Sequence, residues 1–406
     1  MHLPLGEPKA VSRFQIFSRK HRIIVCIAIL FLLSTIIFYL PFERRSYLKH
    51  LLLPPTRYTR CNLEEPSALT CNATLAAKHE PIPNIAHYVF ILRDPSGDFS
   101  FQFSHFLSIY SAYHLWRPDK IYLHTNVAPD SEPIARAKSG STGKWNQLIF
   151  NIPNLIINNI TVPTHAWNGV EISGLEHKSD FVRVKAVHDF GGTYVDFDVF
   201  PLRDLKPLRE RGFAAVGGRQ EGGELNSGTF MGVAGSRALA EWMEEMYRVY
   251  DGGWTTHSNA ALTRIGNRLA VEQPCEMLAL NQAAFAPGSW LDHDIANLFH
   301  THEGAPIIPP GGNSSMRQGV PLEEEDIPED FDADKSLMPS WARDFSCTYL
   351  LHAFSGNKAR HGVTHNNIDP RYALDLRSNF ARAVYPIAKL LFDKKVITLD
   401  DTDLGK

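Results

Sequence analysis

Apolar residues fall into three regimes along this chain. From residue 23 to 40 they run without a charged side chain, and as a helix this stretch spans about 27 Å, long enough for a thin bilayer. No small-residue cleavage site follows, because the chain continues Ile36-Ile37-Phe38-Tyr39-Leu40-Pro41-Phe42, so the run reads as an uncleaved signal anchor. Between 41 and 82, Pro41, Pro54, Pro55, Pro66 and Pro81 interrupt every period, and the segment reads as a stem. Beyond it, short apolar runs alternate with amphipathic stretches. The pattern predicts a strand over 85–92, a helix over 101–115 and a strand over 120–125, then apolar runs at 213–217 and 229–234 and helices over 238–250 and 259–269. Strand, helix, strand in this order predicts an α/β sheet. Residues 303–343 break the pattern: Pro309-Pro310-Gly311-Gly312 leads into an acidic run from Glu323 to Asp334, which predicts a flexible, solvated loop. An apolar stretch at 348–354 and a helix over 371–392 close the body, leaving 396–406 as a tail.

Sequons and cysteines, more than charge, indicate which side of a membrane this body faces. The net charge of −3 over 406 residues points to neither nucleic-acid nor acidic partners. Lys9, Arg13, Arg19, Lys20 and Arg22 before the apolar span are nearly matched by Arg44, Arg45, Lys49 and Arg57 after it, so the positive-inside rule is almost mute. The triplets Asn72-Ala-Thr74, Asn159-Ile-Thr161 and Asn313-Ser-Ser315 are glycosylation acceptors only in a lumen. With Cys26 inside the span, Cys61, Cys71, Cys275 and Cys347 remain, an even set suited to an oxidising compartment. Three pairings are open, and proximity in sequence favours Cys61–Cys71 with Cys275–Cys347. The expected organisation is a cytosolic tail over 1–22, the span over 23–40, the stem over 41–82 and a lumenal catalytic domain over 83–395, as in a single-pass type II protein.

The chemistry is concentrated between 178 and 200. The first half reads as a helix, with Ser179 as its cap and Gly191 as its left-handed stop. At 100° per residue Asp180, Arg183, Val184 and Val187 share one face, so two opposite charges sit side by side near the helix start. Alone, that is a surface ion pair. The second half, 193–200, alternates as a strand, with Tyr194, Asp196 and Asp198 on one face. Two carboxylates on one face of an apolar strand repel each other unless a cation joins them, and oxygen ligands of this kind suit Mn²⁺ or Mg²⁺.

Ser179, Asp180, Arg183, Gly191, Gly192, Tyr194, Asp196 and Asp198 together resemble the signature of glycosyltransferases with a DxD sugar-binding region, the family 32 group that includes Golgi mannosyl- and α-1,4-galactosyltransferases and, more distantly, the clostridial glucosylating toxins. The resemblance is strongest over about 176–233. It implies a GT-A type nucleotide-sugar-binding α/β domain behind the N-terminal transmembrane helix, a Golgi location, a UDP- or GDP-sugar donor and a glycan or glycolipid acceptor. It also implies that Asp196 and Asp198 serve a divalent ion, and that Asp180 and Arg183 address the donor sugar and its departing phosphate. Ser179, Gly192 and Tyr194 join the donor site by the same likeness. The segment Asn226-Ser-Gly-Thr-Phe-Met-Gly is similar to the family's second pocket strand, which makes Asn226 a donor contact, and His352 in Leu351-His-Ala-Phe-Ser-Gly stands where the family keeps a histidine near the metal. Retention of anomeric configuration is implied too, with no residue that must be a nucleophile.

Two other chemistries fit poorly. A glycosidase needs carboxylates flanking the scissile bond from different directions, whereas Asp196 and Asp198 point the same way. Gly140-Ser-Thr-Gly143-Lys144 lacks the first glycine of a phosphate loop, and Trp145 replaces its hydroxyl residue. The rival from another class is a non-catalytic sugar-nucleotide or glycan binder acting beside an active enzyme.

Overall fold

Strand β1 (Ile85–Val89) reads Ile-Ala-His-Tyr-Val, almost wholly buried, as a strand covered on both faces must be. In the computed structural model, which describes residues 71, 79–273, 275–303, 339–354 and 368–405, β1 lies inside a seven-stranded mixed sheet of order β3-β2-β1-β4-β7-β6-β8. Its members are β2 (Lys120–Thr125), β3 (Leu155–Asn159), β4 (Gly192–Val195), β6 (Ala215–Arg219), β7 (Leu225–Gly232) and β8 (Met277–Leu280). Pairs β1–β2, β2–β3, β1–β4 and β6–β8 are parallel, and β7 runs antiparallel to both β4 and β6.

Side chains alternate across this sheet between two cores. Val195, Val216, Met231 and Leu278 face helices α1 (Phe103–Trp116), α3 (Lys144–Phe150) and α11 (Asn379–Asp393). Tyr194, Ala215, Phe230 and Met277 face α4 (Leu175–Phe190), α6 (Arg237–Val249) and α7 (Asn259–Glu272). The remaining helices are α2 (Glu132–Ser139), α5 (Lys206–Arg209), α8 (Gln282–Phe285), α9 (Asp292–Phe299) and α10 (Pro370–Leu374). A small second sheet pairs β5 (Val199–Pro201) with β9 (Leu350–His352), antiparallel, with Val199 opposite His352.

Three expectations are revised. The helix expected over 371–392 is two helices, because Leu376 takes φ 59 between them and Ser378 caps α11 by accepting from the Ala381 N–H at 3.0 Å. The strand expected over 193–200 breaks after Val195. The cysteine pairing is also different: Cys71 bonds Cys275, 204 residues away, which excludes both Cys61–Cys71 and Cys275–Cys347, and Cys347 is itself disulfide-bonded. Proximity in sequence misled because residues 79–82, at the end of the expected stem, already lie on the body. Ile82 is fully buried, and the His79 and Ile82 N–H groups donate to Gly212 and Arg209 carbonyls.

At the other end, the expected tail packs beside α1 and α3. Asp403 accepts from the Phe103 N–H, and Lys144 reaches Asp401 at 2.6 Å. The candidate span 23–40 and most of the acidic 303–343 segment lie outside the described residues. Among those that are described, no helix is long and apolar enough to cross a membrane. Of the three sequons, only Asn159 is described, exposed at the end of β3.

Candidate active site

Helix α4 begins at Leu175, with Gly174 as the extended residue before it; the Lys178 N–H already donates to the Gly174 carbonyl at 2.9 Å. Ser179 therefore lies in the second turn and does not cap, a correction that leaves Asp180 and Arg183 one turn apart on the buried face. Gly191 ends the helix with φ 66, and Gly192 follows at φ 108, its missing side chain leaving room for the Ile85 carbonyl 2.5 Å from where a Cβ would stand. Both glycines are obligatory here. A polar row underneath fixes them: His87 Nε2 meets the Gly191 carbonyl at 2.7 Å, His87 Nδ1 meets His124 Nε2 at 2.9 Å, and His124 Nδ1 meets the Asn158 amide at 2.8 Å. Burial lowers His87 to about 4 against the pull of the Gly191 bond, and lowers His124 to about 3 with help from His87.

After Val195 the chain makes one last ladder bond, Asp196 N–H to the Gly228 carbonyl at 2.9 Å, and then turns, closed by the Val199 N–H onto the Asp196 carbonyl at 3.0 Å. The turn exists because the next residues pair elsewhere: β5 joins β9, and Ser108 of α1 donates to the Val199 carbonyl at 2.6 Å. The aspartates thus sit at a strand end rather than along a strand. They still converge, and β9 brings His352 to them, its Nε2 3.5 Å from Asp198 Oδ1. One ligand atom each from Asp196, Asp198 and His352 falls within a 4.8 Å cluster. The floor of this cluster is Gly228, where a Cβ would lie 2.7 Å from Asp196 Oδ2 and from His352 Cε1.

Two carboxylates, an imidazole nitrogen and a space held open by a glycine form a donor set that fits a hard divalent cation such as Mn²⁺ or Mg²⁺. Burial raises the Asp196 carboxyl above its ordinary value; Arg183 opposes that, Asp198 adds to it, and His352 and the Tyr194 hydroxyl oppose it. An added cation would relieve the repulsion between the two aspartates.

Arg183 is the hub. Its guanidinium pairs with Asp180, reaches both Asp196 oxygens at 3.3 Å, donates to Ser227 Oγ at 2.8 Å and lies 5.3 Å above the Tyr194 ring. Burial alone would lower its pKa, but Asp180 and Asp196 raise it instead, so it stays charged. Tyr194 donates its hydroxyl to Asp196 Oδ1. Asn226 is buried, and its amide NH₂ donates to Gln220 Oε1 at 2.7 Å and meets His352 Nδ1 at 2.9 Å while its oxygen accepts from the Gly228 N–H at 2.7 Å. It therefore orients the histidine and, by donating to Nδ1, leaves the ring proton on Nε2 toward Asp198, so that ligation through Nε2 requires this hydrogen bond to reverse.

One partner was not visible in the sequence. His257, fully buried, meets Asp180 Oδ2 at 2.7 Å through Nε2 and stacks on Phe181, while its Nδ1 has no hydrogen-bond partner. It stands 77 residues from Asp180 with no local motif around it. Gly228 was legible in principle, since a glycine inside an apolar strand marks close approach.

Residues 125–214, which contain α4, β4 and the aspartate turn, match the family described as glycosyltransferase sugar-binding region containing DXD motif. The chain is 27% identical over 234 residues to Glucan organizing enzyme 1 of Cryptococcus neoformans var. grubii, covering 55% of this chain and 58% of that protein, so it spans little more than half the length of this curated relative. Among solved structures, PaToxG glycosyltransferase is 13% identical at a TM-score of 0.34, covering 57% of this chain and 80% of that one. Mouse xyloside xylosyltransferase 1 is 13% identical at 0.31, covering 51% and 87%. The sheet is a mixed α/β sheet with helices on both faces, and the DXD residues lie at the end of β4.

Proposed function

We propose that this chain is a metal-dependent, retaining glycosyltransferase that moves a hexose or N-acetylhexosamine from a UDP- or GDP-sugar to a glycan or glycolipid acceptor. The observation that carries the reading is the Asp196–Asp198–His352 cluster over Gly228, with the Arg183 guanidinium at its edge. When bound, a divalent ion there supplies charge neutralisation for a nucleotide diphosphate. Arg183 is held by Asp180, Asp196 and Ser227 so that a planar, permanently charged fork borders the place where negative charge grows on the leaving group. Tyr194 and Asn226 set the rotamers of Asp196 and His352. Asp180 has both oxygens occupied, by Arg183 and His257, which makes it a poor nucleophile and favours attack from the leaving phosphate's own face.

A lumenal, type II arrangement in the Golgi is part of the proposal. It is supported by the apolar run 23–40, the exposed Asn159 sequon and a disulfide of the kind oxidising compartments retain. The test is nucleotide release by the full-length chain from UDP-Gal, UDP-GlcNAc, UDP-Glc and GDP-Man, with Mn²⁺, with excess chelator and with Mn²⁺ restored. Turnover should vanish on chelation and return with the ion. Undiminished turnover in chelator would remove the metal role, and metal-dependent nucleotide binding without turnover on any donor would instead favour the non-catalytic reading.

A further inference from the structure

Trp116, Trp145 and Trp242 are buried, yet Trp167 and Trp254 keep 67% and 70% of their surface in water. Trp167 lines a groove of about 570 Å³ between α6 and α7, within the range of small-ligand sites. The groove's charged lining consists of Glu241, Glu244 and Glu245 against Arg248, Arg264 and Arg268. Three carboxylates facing three guanidiniums cancel, so no net field selects an anion or a cation. These groups also pair with one another, Glu245 with Arg248 and Arg264 and Glu241 with Arg268, so what faces the groove is a flat indole beside the outer edges of carboxylate–guanidinium pairs.

We propose that this groove binds a neutral, hydroxyl-rich oligosaccharide, the part of the acceptor glycan distal to the reacting sugar. A pyranose matches both elements: its C–H face packs on an indole and its vicinal hydroxyls meet carboxylate and guanidinium edges. A protein segment fits less well, because among the described residues Trp167 and Ile265 are the groove's apolar lining.

The groove is joined to the site by packed rings. Trp167 stacks on Tyr247 with ring centroids 5.3 Å apart, Tyr247 lies 4.5 Å from Phe181, and Phe181 stacks at 5.4 Å on His257, which holds Asp180. Trp254 stands nearer that end, 5.5 Å from His177, whose ring is 4.9 Å from His257.

Naming the ligand an acceptor rests on the transferase reading, and the experiment separates the two. The full-length chain, in a detergent without a sugar headgroup, is titrated with linear hexasaccharides of β-1,3-glucose, α-1,4-glucose and α-1,6-mannose, followed by saturation-transfer NMR and tryptophan fluorescence. In parallel, UDP and GDP binding with Mn²⁺ and donor turnover are measured. At least one hexasaccharide should bind, Trp167→Ala should weaken it by about tenfold or more, and Trp167→Phe should recover most of the loss, with nucleotide binding and melting temperature unchanged. No hexasaccharide binding to the wild type, or binding untouched by Trp167→Ala, overturns the proposal even where donor turnover is seen. Trp167-dependent binding with no donor turnover keeps the groove as a glycan site and removes the transferase reading alone.

Discussion

Replacing Gly228 by alanine adds one methyl group to the floor of the candidate metal site. An ideal Cβ there would come within 2.7 Å of Asp196 Oδ2 and His352 Cε1 and 2.9 Å of Asn226 Oδ1, where ordinary contact begins at 3.4 Å. Relief therefore requires about 0.7 Å of movement by groups that are themselves tied down: Asp196 by Tyr194 and Arg183, His352 by Asn226. Metal–ligand distances tolerate only about 0.2 Å, so the displacement exceeds the tolerance about threefold. Overpacking of this size costs about 1–3 kcal/mol of stability, too little to unfold a typical domain. Metal affinity, by contrast, should fall by at least the 10–100-fold typical of losing a supporting contact. The assay is a Mn²⁺ titration by calorimetry or electron paramagnetic resonance, with nucleotide release and a thermal melt alongside. A folded Gly228→Ala protein that binds Mn²⁺ and turns over donor like wild type would refute the assignment of Asp196, Asp198 and His352 as one ion's ligands.

Other outcomes follow from the same geometry. Arg183→Lys keeps the charge but cannot reach Asp180, Asp196 and Ser227 at once; turnover should fall about a hundredfold, Mn²⁺-dependent nucleotide binding should survive better than in Asp196→Asn, and chemical denaturation should show about 1.5–3 kcal/mol lost with a charge-assisted bond. His257→Ala strands the buried Asp180 Oδ2, which should cost about 1–3 kcal/mol in the same measurement and lower donor turnover while sparing Mn²⁺ binding. Because burial depresses His87 to about 4 and His124 to about 3 from an unfolded value of 6.5, their contribution to stability is complete above pH 6.5 and lost as pH falls toward 3–4. Urea unfolding at stepped pH should show that decline, and a His87→Gln/His124→Gln protein should show a shallower one.

How much of this was legible depends on the range of the interaction. Strand β2 lies where its pattern placed it, at Lys120–Thr125, and the helix carrying Asp180 and Arg183 was visible from periodicity, because both signals are local. The signature residues were legible through their resemblance to a family, and of them Asp180, Arg183, Tyr194, Asp196 and Asp198 come together. Helix starts and the strand break were not, since Gly174 has no distinctive capping side chain and the turn at Asp196 depends on a partner strand some 150 residues later. The role of His257 was equally hidden: nothing near it in sequence announces a buried carboxylate 77 positions away. The hydrogen bonds of Asn226 to Gln220, Gly228 and His352, which tie it to the candidate metal cluster, were equally beyond reach of the local pattern.

The Cys71–Cys275 bond makes the chain's connectivity differ from its order. A protease that cuts between residues 71 and 79 severs the backbone, yet the N-terminal fragment stays covalently attached to the body at Cys275. Were the chain anchored through the apolar run 23–40, shedding of the body by such a cut would need reduction as well as cleavage. Nicking between Cys71 and residue 79 is thus silent under oxidising conditions, and non-reducing and reducing gels of the same digest would display the difference.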